Sequence, residues 1–295
     1  NYYVPDLNVF LLPAQLIIAL CFGYGIFFLC QLMSVIPSSF IPHPSSLPIL
    51  FLLPIIFTTT TLWPQLDQSQ NDGLTTWGMG VLARPLAENG VILADGEKIA
   101  PLFYLQRAEG FRPDLDIKVL PDEAAYRAEL GAQIGAGRPV YLARFVPGLE
   151  GAYHLRSEGP LTEVGTSPLL ETPPVDITSE IGFGEIALLG VDVEAEAAVD
   201  PHSTAVTFYW QAAEAPSELL YVYVRWAGGK PVIPTGQHPA NNYYPTVAWD
   251  GGEIVPDFHL LPHPYPRPET AELQVALAPP FTAASELPWQ TVTTI

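Results

Sequence analysis

The chain has 295 residues, room for two or three domains, with 12 Lys and Arg against 31 Asp and Glu and a formal net charge of −19. A surface this acidic repels phosphate backbones and anionic headgroups, which excludes nucleic acid as a natural partner. The charge is unevenly spread: residues 1–83 hold no Lys or Arg and three acids, residues 84–157 nine bases and ten acids, and residues 158–295 three bases and eighteen acids.

The opening run, NYYVPDLNVFLLPAQLIIALCFGYGIFFLCQLM, is followed by no charged side chain between Asp6 and Asp67. Residues 9–33 are long and apolar enough to cross a bilayer of about 30 Å as a helix. Residues 47–63 form a shorter second run with Pro48 and Pro54, where Thr58 to Thr61 could satisfy the carbonyls that the prolines leave free. A signal peptide would need a basic start, and a buried hairpin in a water-soluble domain would need a polar face. The expectation is a transmembrane helical hairpin over 1–66 in a multi-pass cell-membrane protein, with the lipid bilayer as partner. Acids flank both outer ends, so those ends and the soluble domains are expected to be extracytoplasmic. A chain that starts outside, without Met, reads as the tail of something longer. Cys21 and Cys30, nine residues apart, would lie about 13.5 Å apart along a helix, too far for a disulfide.

After the linker QLDQSQNDGLTTWG, elements alternate: strands at 91–94, 116–120 and 139–144, helices at 98–109 and 122–134. This order predicts a small α/β domain over 75–170 with a parallel sheet, closed at one edge by a hairpin in AYHLRSEGPLTEVG. Such sheets bind ligands beyond the C-terminal ends of their strands, where Asp95 and Glu97 fall. The alternative is that Asp95 caps the next helix and Glu97 complements its dipole. GAQIGAG at 131–137 is no phosphate loop, because it ends a helix and precedes a strand.

From about residue 182 the period is two. Val206, Phe208 and Trp210 share a face, as do Leu220, Val222, Val224 and Trp226, and Leu273, Val275 and Leu277 repeat the pattern. An antiparallel β-sandwich over 180–285 is expected, with Trp226 in its core and Tyr223 pointing away. The opposite faces carry Tyr209, Tyr221 and Tyr223, with Tyr243, Tyr244 and Trp249 in the next loop. These are a platform for sugar, with Tyr223 and Trp249 as candidate contacts, or packing under a loop or against the neighbouring domain. His259 and His263 have a zinc-helix spacing, but Pro262 forbids the helix. No catalytic constellation, metal site or cofactor motif stands out.

Tyr3, Pro5, Asp6, Phe10, Leu12 and Pro13, then Ala94-Asp95-Gly96, Tyr104-Leu105-Gln106, Gly110 and Arg112-Pro113-Asp114, resemble the C-terminal part of bacterial GT-C membrane glycosyltransferases. Within these the protein-O-mannosyltransferase-like group is the most similar. Tyr209-Trp210-Gln211, Tyr244-Pro245-Thr246, Trp249, Gly252-Glu253 and Asp257 are similar to tail modules of such enzymes. The resemblance implies transfer of a sugar from a polyprenyl-phosphate donor, as substrate rather than cofactor, to an extracytoplasmic acceptor. The family's catalytic acid lies in the first extracytoplasmic loop of an N-terminal membrane region missing from this sequence. No catalytic residue is therefore carried over, and Asp6 is a candidate only for lining the donor or acceptor side, with a cap on the membrane helix end as the alternative. The alternative is a membrane-tethered extracytoplasmic binding or interaction module without catalytic activity.

Overall fold

The computed structural model describes residues 17, 23–25, 31, 73–227, 236–263 and 270–294. The chain divides into two units, Asn1–Gln70 and Asn71–Ile295. In the first, residues 17, 23–25 and 31 are helical and exposed, and the spans expected over 9–33 and 47–63 otherwise lie outside the described residues. Among the described residues no helix is long and apolar enough to cross a membrane, and the architecture is mostly strands in three sheets. The expected fold class, a transmembrane hairpin followed by a parallel α/β domain and a β-sandwich, is corrected accordingly. An apolar run records that its side chains avoid water, not what covers them. The apolar runs that another layer of the protein covers among the described residues, such as Val91–Ala94 and Val140–Ala143, lie in the second unit.

The second unit begins with helix α1, Gly73–Leu82, inside the stretch expected to be a linker. Its glycines suggest a loop, yet they serve close packing: a Cβ on Gly80 would lie 2.6 Å from the backbone of Ala198. Next come β1 (Val91–Ala94), α2 (Ile99–Arg107), β2 (Asp116–Lys118), α3 (Glu123–Gly135) and β3 (Val140–Ala143). β1 pairs in parallel with both β2 and β3. β1 and β3 are buried at every position, which is why they read as short unbroken apolar runs. Asp122 caps α3 by accepting from the Ala125 N–H at 2.9 Å. The hairpin β4 (His154–Glu158) and β5 (Leu161–Gly165) then adds to β3 antiparallel, giving a mixed sheet of order β2-β1-β3-β5-β4.

The remaining strands form two antiparallel sheets. β6 (Ile177–Phe183), β7 (Ile186–Glu194), β8 (Ser203–Ala212) and β10 (Ile254–Pro262) are ordered β10-β8-β7-β6. β9 (Tyr221–Trp226), β11 (Glu272–Ala278) and β12 (Gln290–Thr294) are ordered β12-β11-β9. Val206, Phe208 and Trp210 of β8 pack with Val222, Leu273, Val275 and Leu277 in the core between the sheets. The other face of β8 is covered too, because Ala205 joins Leu161, Phe258 and Val81 in a second cluster. The four-stranded sheet is therefore a central layer, with the three-stranded sheet on one side and the β4–β5 hairpin and α1 on the other.

Candidate functional site

The cover on that second side is incomplete, and it leaves a cleft of about 570 Å³. One wall is the β4–β5 hairpin, where Arg156 lies opposite Glu163 and Glu158 opposite Leu161. With a period of two, Arg156, Glu158 and Glu163 share one face. The facing wall is Thr207 and Tyr209 of β8, Asp192 and Glu194 of β7 and Pro256 of β10, with Arg84, Pro174 and Asp176 at the margin. Gly159, at the tip of the hairpin, has φ +58°, and a Cβ there would stand 2.6 Å from Arg84 Nε. Glycine thus serves both the turn and the close approach of the guanidinium.

The charges are partly neutralised within the cleft. Arg84 Nη1 pairs with Glu194 at 3.0 Å, and its guanidinium lies 5.5 Å from the centre of the Phe258 ring. Arg156 Nε is 3.3 Å from Glu163 Oε2, but without hydrogen-bond alignment. Arg84 Nη2 and Arg156 Nε are thus buried donors with no hydrogen-bond acceptor among the described residues. Tyr209 donates to Asp192 at 2.7 Å, and Asp192 accepts from the Asp176 N–H at 2.8 Å. Burial, reinforced by Asp192, pushes the Tyr209 phenol far above its ordinary range, so it remains a donor. The Glu158 carboxyl has no hydrogen bond or ion pair among the described residues. Burial raises its pKa; Arg84 opposes the shift and Glu163 adds to it.

Further along β4, His154 Nδ1 lies 2.9 Å from Glu253 Oε1. Glu253 is only 2 % exposed, and its other oxygen accepts from the Tyr244 hydroxyl and the Asp250 N–H, each at 3.0 Å. Burial and the Glu253 carboxylate together drive the Tyr244 phenol far upward. This network ties β4 to the turn before β10 and uses both carboxylate oxygens, so it reads as a structural clamp. A second buried acid, Asp257, faces the sandwich core, where His259 Nε2 lies 2.7 Å from Oδ2 and Trp210 Nε1 donates to the same oxygen at 3.3 Å. His259 therefore lies on a strand and partners Asp257, while His263 sits 3.0 Å from the Ala195 carbonyl. Among the described residues no three His, Cys, Asp or Glu side chains gather to hold a metal.

Between β9 and β10 the chain makes a turn at Pro239–Asn242 in which Ala240, Asn241 and Asn242 have φ of 53°, 57° and 67°. Left-handed backbone costs about 1–2 kcal/mol per non-glycine residue. Asn tolerates it best, but Ala240 is fully buried and brings no polar group to compensate. The surroundings hold the turn: Tyr244 N–H donates to the Pro239 carbonyl at 3.0 Å and His238 N–H to Asn242 Oδ1 at 3.1 Å. The Tyr243 hydroxyl donates to the Arg144 carbonyl and accepts from the Val146 N–H at 3.0 Å.

The residues singled out from the sequence do not meet in one place. Asp6 lies outside the described residues. Asp95 accepts from the N–H groups of Glu97 and Lys98 at 3.1 and 2.9 Å and caps the turn into α2, while Glu97 is exposed. The crevice at that end of the sheet is occupied by the protein's own groups, with Lys98 Nζ on the Ala143 carbonyl and Tyr126 on the Ala94 carbonyl. Tyr223 is buried against Ala276 and Leu287 and donates to the Pro279 carbonyl at 3.2 Å. Trp249 is buried and donates to the Tyr244 carbonyl at 3.2 Å. Sequence reading missed Arg84, Arg156, Glu158 and Glu163. The signal available was the alternation HLRSE and LTEVG, which sets three charges on one face of the hairpin expected there. No family model matches the chain, and no curated protein and no solved structure matches it.

Proposed function

We propose that residues 71–295 form a carbohydrate-binding module whose ligand, a neutral polyhydroxyl sugar, sits in the cleft between the β4–β5 hairpin and the central sheet. The observation that carries this reading is a cleft in which two arginines and five carboxylates converge beside Tyr209 and several prolines, so that donors and acceptors surround one volume. Carboxylates only accept, so Glu158, which has no hydrogen bond or ion pair among the described residues, calls for a donor. A sugar hydroxyl supplies both functions on one atom. The five carboxylates outnumber the two guanidinium groups, which disfavours an anion. A volume of about 570 Å³ suits one or two sugar rings. The resemblance of the segments around Trp210 and Trp249 to tail modules of GT-C glycosyltransferases also supports sugar as the ligand class. In that setting the module holds an acceptor or product glycan for an enzyme that transfers sugar from a polyprenyl-phosphate donor, and it adds no catalytic residue of its own.

Titration calorimetry of the full chain with mannotriose, cellotriose and chitotriose tests the reading. At least one should bind, and Arg84→Gln and Glu163→Gln should each weaken it about tenfold or more, since a hydrogen bond to a charged group contributes about 1.5–3 kcal/mol. Binding of none of the three, or unchanged affinity in both variants, overturns it.

A further inference from the structure

We propose that Asn241, on the left-handed turn, is the positioning residue of the cleft: its amide holds the tip of the β4–β5 hairpin in the place that ligand binding requires. The inference rests on the carbohydrate reading of the cleft. Asn241 Nδ2 donates to the Gly159 carbonyl at 3.1 Å and the Leu161 carbonyl at 2.8 Å, and lies 3.4 Å from Thr162 Oγ1. Those two carbonyls bracket the hairpin turn, and Glu158 and Gly159 beside them line the cleft. The tip is thus held from two sides, by Arg84 packed on Gly159 in the cleft and by Asn241 through these carbonyls.

The backbone strain gives this contact its meaning. Three successive residues accept φ near +60°, and the central one presents its amide to the hairpin. Strain of this kind persists where surrounding contacts over-determine it, and it gathers at ligand sites. The anchors around the turn do that: Pro239 sets its entry, Asn242 closes it on the His238 N–H, and Tyr243 ties it to the end of β3. Among the described residues, the Asn241 side chain is the group of this turn that hydrogen-bonds the hairpin tip, so hairpin placement and turn strain are linked through one amide.

The test compares the full-length variants Asn241→Asp and Asn241→Gly with Tyr243→Phe, using the trisaccharide that binds the parent chain best. Asp keeps the shape and the left-handed tolerance of Asn but has no N–H, and Gly keeps the backbone alone. Tyr243→Phe loosens the same turn at its anchor on Arg144 and Val146, just past β3, and leaves the Asn241 amide in place. Tenfold or greater loss of affinity is expected in both Asn241 variants, with Tyr243→Phe within twofold of the parent even where its melting temperature falls as far. Parent-like affinity in the Asn241 variants, or an equal loss in Tyr243→Phe, overturns the positioning role and leaves the carbohydrate reading standing. Failure of the parent chain to bind any of the three trisaccharides removes that reading and this proposal with it.

Discussion

On β8, Val206, Phe208 and Trp210 are fully buried among apolar side chains of the facing sheet, whereas Thr207 and Tyr209, one residue along, look into a charged cleft. The backbone is one strand, and the environments differ because successive side chains take opposite faces. The apolar face meets a whole sheet of complementary strands and closes. The other meets a single hairpin, and the gap beneath it is lined by whatever charges the hairpin and β7 bring. Core and candidate site are thus two sides of one element, separated by parity, and a shift of one residue in register would exchange them.

The largest expected effect tests the closed face directly. Trp210→Ala should cost about 3–5 kcal/mol in a denaturant melt. Tyr209→Phe, which removes only the hydroxyl bond to Asp192, should cost about 1 kcal/mol. Comparable losses at the two positions would erase the difference between the faces. A smaller contrast is expected on β9, where alternation alone ranks Trp226 as core and Tyr223 as outward. Tyr223 is 4 % exposed, packed on Leu287 and Ala276, while Trp226 is only partly buried. Tyr223→Ala should therefore destabilise more than Trp226→Ala, and the opposite order would mean that the Leu287 segment does not cover that face in solution.

The smallest effect concerns Glu158, whose carboxyl burial holds above its ordinary 4.5. Below that value the group is protonated in both the folded and the unfolded chain and costs nothing. As the pH rises, the unfolded chain ionises first, and stability falls until the folded carboxyl ionises as well. Glu158→Gln removes this loss, so its unfolding midpoint should match the parent at pH 4 and exceed it at pH 7. Equal midpoints at pH 7 would show that the carboxyl is solvated.

Local pattern made much of this legible. The run VILA reads as a buried strand and is one, because every side chain in it meets protein. Asp122 precedes a helical pattern and caps it, since its carboxylate reaches the Ala125 N–H without tertiary help. Helix α1 was hidden, because the glycines in GLTTWGMG weaken a helical pattern, and their reason, the backbone of Ala198, lies far along the chain. The candidate site was hidden for the same cause. Arg84, Glu158 and Tyr209 are scattered in sequence, and no spacing between them signals a cleft.

By itself the sequence determined which residues alternate, which runs are apolar, where the acids accumulate and that no familiar catalytic motif is present. These follow from the chemistry and order of neighbouring side chains. Only the tertiary structure decided what each face meets. Tyr223 and Trp249 went into packing because other segments cover them, and Asp95 was spent on a turn because two N–H groups lie within its reach. Arg84, just past α1, and Arg156, on the hairpin, each keep a buried N–H without an aligned acceptor among the described residues, because segments distant in the chain decide what surrounds them. Burial and hydrogen bonding depend on partners distant in the chain, and those partners are chosen by how the sheets stack.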